Sequence, residues 1–195
     1  RLKAEIVDVA FNETGDKLVT ITIDGEFLEW DLNVPTFKPM LLTHGGNIQG
    51  YDLSDDGKWV ATGGKDNVVS LWDMENKRKH NQLELSNDVG MVKFQKNGTR
   101  LFVVEMAGLI PVRWSSYTVP DLKKEYEGTL PPEDTRSVAF APNGKHLVYS
   151  RDNNDVILVR LSDGQVTPLV GHGNMIPGLE FSPDSQTIVS MCADN

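Results

Sequence analysis

One phrase constrains what this chain can fold into, because it occurs five times: an apolar residue, a short polar turn, then a run of apolar residues. Phe11, Leu53, Phe94, Phe140 and Phe181 lead the five copies, so the steps between them are 42, 41, 46 and 41 residues. The turns read Asn12 to Lys17, Ser54 to Lys58, Gln95 to Arg100, Ala141 to Lys145 and Ser182 to Gln186. A period near 40 marks a chain of repeated supersecondary units that bury their apolar faces against one another.

Each phrase reads as a hairpin. Val7, Val9 and Phe11 alternate before the first turn, as do Val138 and Phe140 before the fourth. Asp56-Gly57, Asn97-Gly98 and Asn143-Gly144 occupy the turns, as pairs that tolerate the positive φ of tight hairpins. The strand after the turn is apolar on both faces, as in Leu18 to Ile23. Third strands are expected at Glu26 to Trp30, Val68 to Trp72, Leu109 to Trp114 and Val156 to Val159. Weaker fourth strands are expected at Lys38 to Leu42, Asn81 to Leu85, Leu122 to Tyr126 and Gln165 to Val170. The expected fold class is all-β, with four-stranded antiparallel sheets. Strands apolar on both faces need cover on both sides, and sheets stacked face to face around an axis supply it.

These units resemble the WD-repeat family of β-propellers. Trp30-Asp31 and Trp72-Asp73 close third strands as the family's name dipeptide does. Gly171-His172 and Thr43-His44 stand where the family places Gly-His. The resemblance implies a buried network that ties each blade together, assigned to His44, Asp66 and Trp72, with Asp24 and Trp30 in the first unit and His172 and Asp194 in the fifth. Thr22 is the hydroxyl expected in the first unit, and Thr62 a substitute in the second. In the third unit Ala107 replaces the Asp and Trp114 sits one residue late. The fourth unit has Arg160-Leu161 in place of Trp-Asp. The fourth and fifth units are also similar to propeller blades of the Tol-system periplasmic protein and of prolyl-oligopeptidase-type peptidases.

The expected repeats run over 5–43, 47–85, 90–128, 135–170 and an incomplete 175–195, about four and a half blades of a larger ring, expected to have seven. The remainder of its own propeller, or a partner subunit, is then needed to close the ring.

A net charge of −9 disfavours nucleic acid and anionic membranes as partners, and no apolar run reaches the length of a membrane span. Cys192 is the only cysteine, so no internal disulfide forms, which fits an intracellular, cytoplasmic or nuclear, setting. Asn12-Glu13-Thr14 and Asn97-Gly98-Thr99 match a glycosylation sequon but read as turn chemistry.

No catalytic constellation, metal site or cofactor motif emerges. His172 with Cys192 gives two ligands where zinc needs three or four. Asp152 to Asp155 lacks the Gly of a calcium loop, since Ile157 stands there. Function is therefore expected at loops on one end of the stack, where a non-catalytic scaffold would bind other proteins or peptides. The partner-binding candidates are Lys65, Met106, Arg136, Arg151 and Met175. The alternatives are the propeller of a serine peptidase and a Tol-type extracytoplasmic ligand-binding propeller. The 121–135 stretch is either a tolerated surface insertion or a partner-specific protrusion.

Overall fold

The computed structural model describes residues 5–11, 15–22, 26–33, 47–132 and 134–192. They form five antiparallel sheets, each built from strands adjacent in sequence. The first holds β1 (Ile6–Phe11), β2 (Lys17–Thr22) and β3 (Phe27–Asp31). The second holds β4 (Ile48–Leu53), β5 (Trp59–Gly64), β6 (Val68–Asp73) and β7 (Arg78–Glu84). The third holds β8 (Asp88–Phe94), β9 (Arg100–Ala107), β10 (Ile110–Thr118) and β11 (Lys124–Thr129). The fourth holds β12 (Thr135–Phe140), β13 (His146–Arg151), β14 (Val156–Arg160) and β15 (Val166–Leu169). The fifth pairs β16 (Gly178–Phe181) with β17 (Ile188–Met191). Strand order follows chain order in every sheet, which is the meander of a propeller blade.

The core lies between sheets rather than within them. Ala61, Val69 and Leu71 of the second sheet pack against Val89, Val92 and Phe94 of the third. Phe102 of the third stacks on Phe140 of the fourth, with ring centroids 4.5 Å apart. Val19 and Ile21 meet Val60 and Trp72 across the first two sheets, and Val148 and Val156 meet Ile176 before the fifth. This is why β2, β5 and β9 are apolar on both faces. The packing is close enough that a Cβ on Gly63 would lie 2.1 Å from a methyl of Val89 in the next sheet.

The repeated turn differs from the expected one. Among the described residues of these turns, only the fourth has positive φ: Gly15, Gly57, Gly98, Gly144 and, in the fifth copy, Ser185. Its amide donates three residues back, from Gly57 to Ser54, Gly98 to Gln95, Gly144 to Ala141 and Ser185 to Ser182. This is a type I turn closed by a left-handed residue, not a two-residue turn with both central residues at positive φ. The preceding Asp or Asn serves another purpose. Asp56, Asn97, Asn143 and Asp184 each accept, through Oδ1, the amide two residues ahead. Asn97 also accepts from the Thr99 hydroxyl at 2.8 Å, so the sequon there is bound up in turn geometry.

Two sequence expectations about the third sheet are corrected. The 121–135 stretch contains a sheet strand and a core residue: β11 (Lys124–Thr129) pairs with β10, Leu130 is 2 % exposed, and Thr135 is buried in β12. It is neither an insertion nor a protrusion. The third strand is also later and longer than expected. Trp72 pairs with Val60 and Trp30 with Leu18, seven residues after their leading residues; the matching partner in the third sheet, Leu101, pairs with Tyr117. Tyr117 therefore takes the structural Trp position, and Trp114 packs instead toward Phe140 at 6.4 Å. Pro111 sits beside a register shift between Pro111 and Arg113, the kind of place where a strand tolerates a missing donor.

Candidate functional site

Strand polarity puts the five sequence candidates on one end of the stack. Lys65 follows β5, Met106 is the penultimate residue of β9, Arg136 is the second residue of β12, Arg151 ends β13, and Met175 precedes β16. They come from four sheets, and their environments differ. Lys65 is exposed, and its amide donates to Asn47 O at 3.0 Å. Met175 is 49 % exposed. Met106 is half-buried and packs on the third–fourth core, with Gly90 leaving room for its side chain.

Arg136 and Arg151 do not stand free. Arg136 is bidentate to Asp152, with Nη2 donating to Oδ2 at 2.9 Å, and Arg151 pairs with Asp134. The Asp152 amide donates to both the carbonyl and the carboxylate of Asp134, each at 2.9 Å. Hydrogen bonding to these carboxylates pushes both guanidinium pKa values up. The four residues cross-tie the link before β12 to the loop after β13, so the arginines set loop shape.

Sequence reasoning missed two residues at this end. Leu109 is 90 % exposed at the β9–β10 turn, beside Gly108 at positive φ, and Ile110 next to it is 39 % exposed. The signal was present, two apolar residues directly after a turn glycine, but it resembled the start of a strand. Glu105 was missed as well. Its side chain is buried, and Oε2 accepts from Asn87 Nδ2 at 3.0 Å.

The blade-tying network is partly visible. Trp30 Nε1 donates to Thr20 at 3.0 Å and Trp72 Nε1 to Thr62 at 2.9 Å. Thr20, rather than Thr22, is thus the partner in the first sheet; Thr22 Oγ1 accepts instead from the Glu26 amide. Asp66 Oδ1 accepts from the Val68 amide at 3.3 Å. His172 Nε2 lies 2.6 Å from Ser190 Oγ. His44, Asp24 and Asp194 lie outside the described residues. The pattern is consistent: a residue of the link entering a blade reaches that blade's second strand, as His172 to Ser190, Asn87 to Glu105 and Asp134 to Arg151.

A second concavity lies among the first strands. A cavity of about 510 Å³ is lined by β4, β8, β12 and β16, including Asp52, Met91, Lys93, Phe140 and Phe181. Asp52 accepts from Lys93 Nζ at 2.9 Å and from the Phe94 amide at 2.7 Å, and burial pushes its carboxyl pKa up despite both. Among the described residues no group of three or more His, Cys, Asp or Glu is placed to hold a metal ion, and no helix is long and apolar enough to cross a membrane.

Comparison with known proteins agrees with this architecture. A family model described as "WD domain, G-beta repeat" matches residues 36–73. The chain is 25% identical over 181 residues to the Target of rapamycin complex subunit LST8 of Bos taurus, covering 85% of this chain and 53% of that protein. It is 23% identical over 184 residues to the Nuclear distribution protein nudF of Aspergillus niger, covering 93% and 36%. The β-propeller domain of Myceliophteria thermophila Cps50 (Swd1) superposes with a TM-score of 0.78 at 16% identity, covering all of this chain and 64% of that one. The chain spans about half the length, or less, of these curated relatives. Stacked four-stranded meanders, the Trp–Thr ties and the matched repeat lead to one conclusion: the chain has the fold of β-propeller blades and carries a sequence match to a WD repeat over residues 36–73.

Proposed function

We propose that this chain is a non-catalytic interaction platform within an intracellular multiprotein assembly, and that partners bind at the loop-bearing end. One observation carries this reading: side chains from separate sheets emerge at one end of a stack whose sheets are locked together by inter-sheet cores. Lys65, Met106, Leu109, Arg136, Arg151 and Met175 make the contact surface. Leu109 and Met175 supply apolar anchors, Lys65 a cation, and the two crossed ion pairs hold the loops in shape. Arginine and methionine are enriched at such interfaces, and a rigid support lowers the cost of ordering them on binding.

The printed name of LST8, a complex subunit, supports the same reading. So does the lone Cys192, which leaves these residues without an internal disulfide. Further blades, from the rest of the propeller or a partner subunit, cover the exposed apolar residues of the terminal sheets, where Phe11 is 61 % and Met191 64 % exposed. A seven-bladed ring is the closure we favour.

The test is quantitative affinity purification of the full-length protein from its native cell, comparing parent with a Lys65→Ala, Leu109→Asp, Met175→Ala variant. At least one stoichiometric partner is expected to be lost while the variant keeps its melting temperature. An unchanged set of partners would refute the assignment of this end.

A further inference from the structure

On the opposite end of the stack, a groove between the third and fourth blades carries a charge unlike the rest of the chain. A cavity of about 370 Å³ is lined by Arg100, Tyr126, Lys145, His146, Arg160 and Ser162, closed by Gly144 and Leu161. Three cations and an imidazole thus line one hollow, and no carboxylate does, in a chain of net charge −9. They come from four places in the chain: the start of β9, the middle of β11, the start of β13, and the end of β14.

The charges there are unevenly satisfied. Arg100 Nε donates to Glu125 at 2.5 Å, and its guanidinium lies 5.4 Å from the Tyr126 ring centroid. Arg160 Nη1 donates to Asp163 at 2.9 Å. Lys145 and His146 have no ion pair among the described residues. The Lys145 backbone is fixed nonetheless, its amide donating to Asn143 Oδ1 and its carbonyl accepting from Leu161.

We infer that this groove binds a phosphate monoester carried on a peptide segment of a partner protein, a phosphoserine or phosphothreonine. A carboxylate offers the two arginines only what Glu125 and Asp163 already give. A phosphate monoester carries close to two charges and three acceptor oxygens, enough to engage Lys145 and a second N–H of each guanidinium while those pairs persist. Nucleic acid and anionic membrane are disfavoured because a chain of −9 repels an extended polyanion. The surrounding acidity instead favours a peptide with basic residues beside its phosphate. Tyr126, 40 % exposed, offers a ring face to a neighbouring side chain.

The experiment is fluorescence anisotropy on the full-length protein with a phosphoserine peptide library of Lys/Arg-rich flanks. The comparison arms are the same library without phosphate, inorganic phosphate as competitor, vesicles containing phosphatidylinositol 4,5-bisphosphate, and single-stranded DNA. The phosphorylated library is expected to bind at least about tenfold more tightly than the plain one, since a charged hydrogen bond contributes about 1.5–3 kcal/mol. A Lys145→Gln, Arg160→Gln variant should lose roughly tenfold or more, Lys145→Arg should retain binding, and Lys77→Gln on another blade should leave it unchanged. Binding without phosphate dependence, no binding, or binding that survives the double variant overturns the proposal. So does preferential capture of vesicles or DNA, which would reassign the groove to a different partner class. Because Lys65, Leu109 and Met175 lie at the other end, loss of their partners leaves this result standing, and the reverse holds too.

Discussion

At the fourth position of every repeated turn the backbone takes φ between 62° and 70°, and four of the five copies hold glycine there. A side chain in that region costs on the order of 1–2 kcal/mol. Gly98→Ala should therefore lower stability by about 1 kcal/mol, read from the midpoint of urea unfolding; an unchanged midpoint would mean the turn relaxes. Ser185 is the exception, and its hydroxyl accepts from the Asn143 amide of the neighbouring blade at 3.0 Å, an interaction that offsets its backbone strain. At this scale the sequence was readable where a single residue type is demanded, as at the turn glycines and at Trp30 and Trp72. It was not readable where register decides the outcome. Tyr117 replaces Trp only because β9 and β10 run further before they turn, and no local pattern near Trp114 marks that extension. The ties at Asn87–Glu105 and Asp134–Arg151 were hidden for a related reason: each substitutes different chemistry for the same geometric task.

Strands show a second kind of dependence, on their neighbours. Asp52 on β4 holds Lys93 and the Phe94 amide on β8, so one carboxylate links two blades. Burial raises its pKa above the ordinary 3.8, which means that the folded protein holds this proton more tightly than the unfolded chain. Between 3.8 and the folded value, the contribution of Asp52 to stability therefore falls as pH rises. Asn cannot ionise, so Asp52→Asn should gain on the parent as pH rises from about 4, then level off once Asp52 is ionised in the fold. Urea midpoints of both proteins from pH 4 to 8 give the comparison; a constant difference across that range would contradict the burial argument. On the outer side of the third blade, Leu130 follows β11 and is packed with Trp114 and Phe140. Leu130→Ala should cost about 2–5 kcal/mol, in keeping with a filled core site. A loss below 1 kcal/mol in calorimetry would restore the view of this stretch as a surface insertion.

Across the whole molecule, stability resides in the joints between blades. Phe102 and Phe140 stack across one joint, and Gly63 meets Val89 across another. Gly63→Ala forces a methyl into Val89 and should destabilise by about 1–3 kcal/mol, with a lower melting temperature in a single cooperative transition. Two separated transitions would mean that the blades fold independently. The fold class was legible because the period, the turns and the doubly apolar strands all repeat. The binding end was legible only as a set of loops. Arg136 and Arg151 looked like free cations in sequence, since nothing local reveals that Asp152 and Asp134 lie opposite them.

The first hairpin turns also touch one another. Gln95 Nε2 donates to Asn143 O, the Lys96 amide donates to Pro142 O, and the Asn143 amide donates to Ser185. Three consecutive blades are thus stitched along one rim, like links in a chain. When such an array is pulled along its circumference, the load runs through these stitches in shear, and they must break together before any blade can peel away.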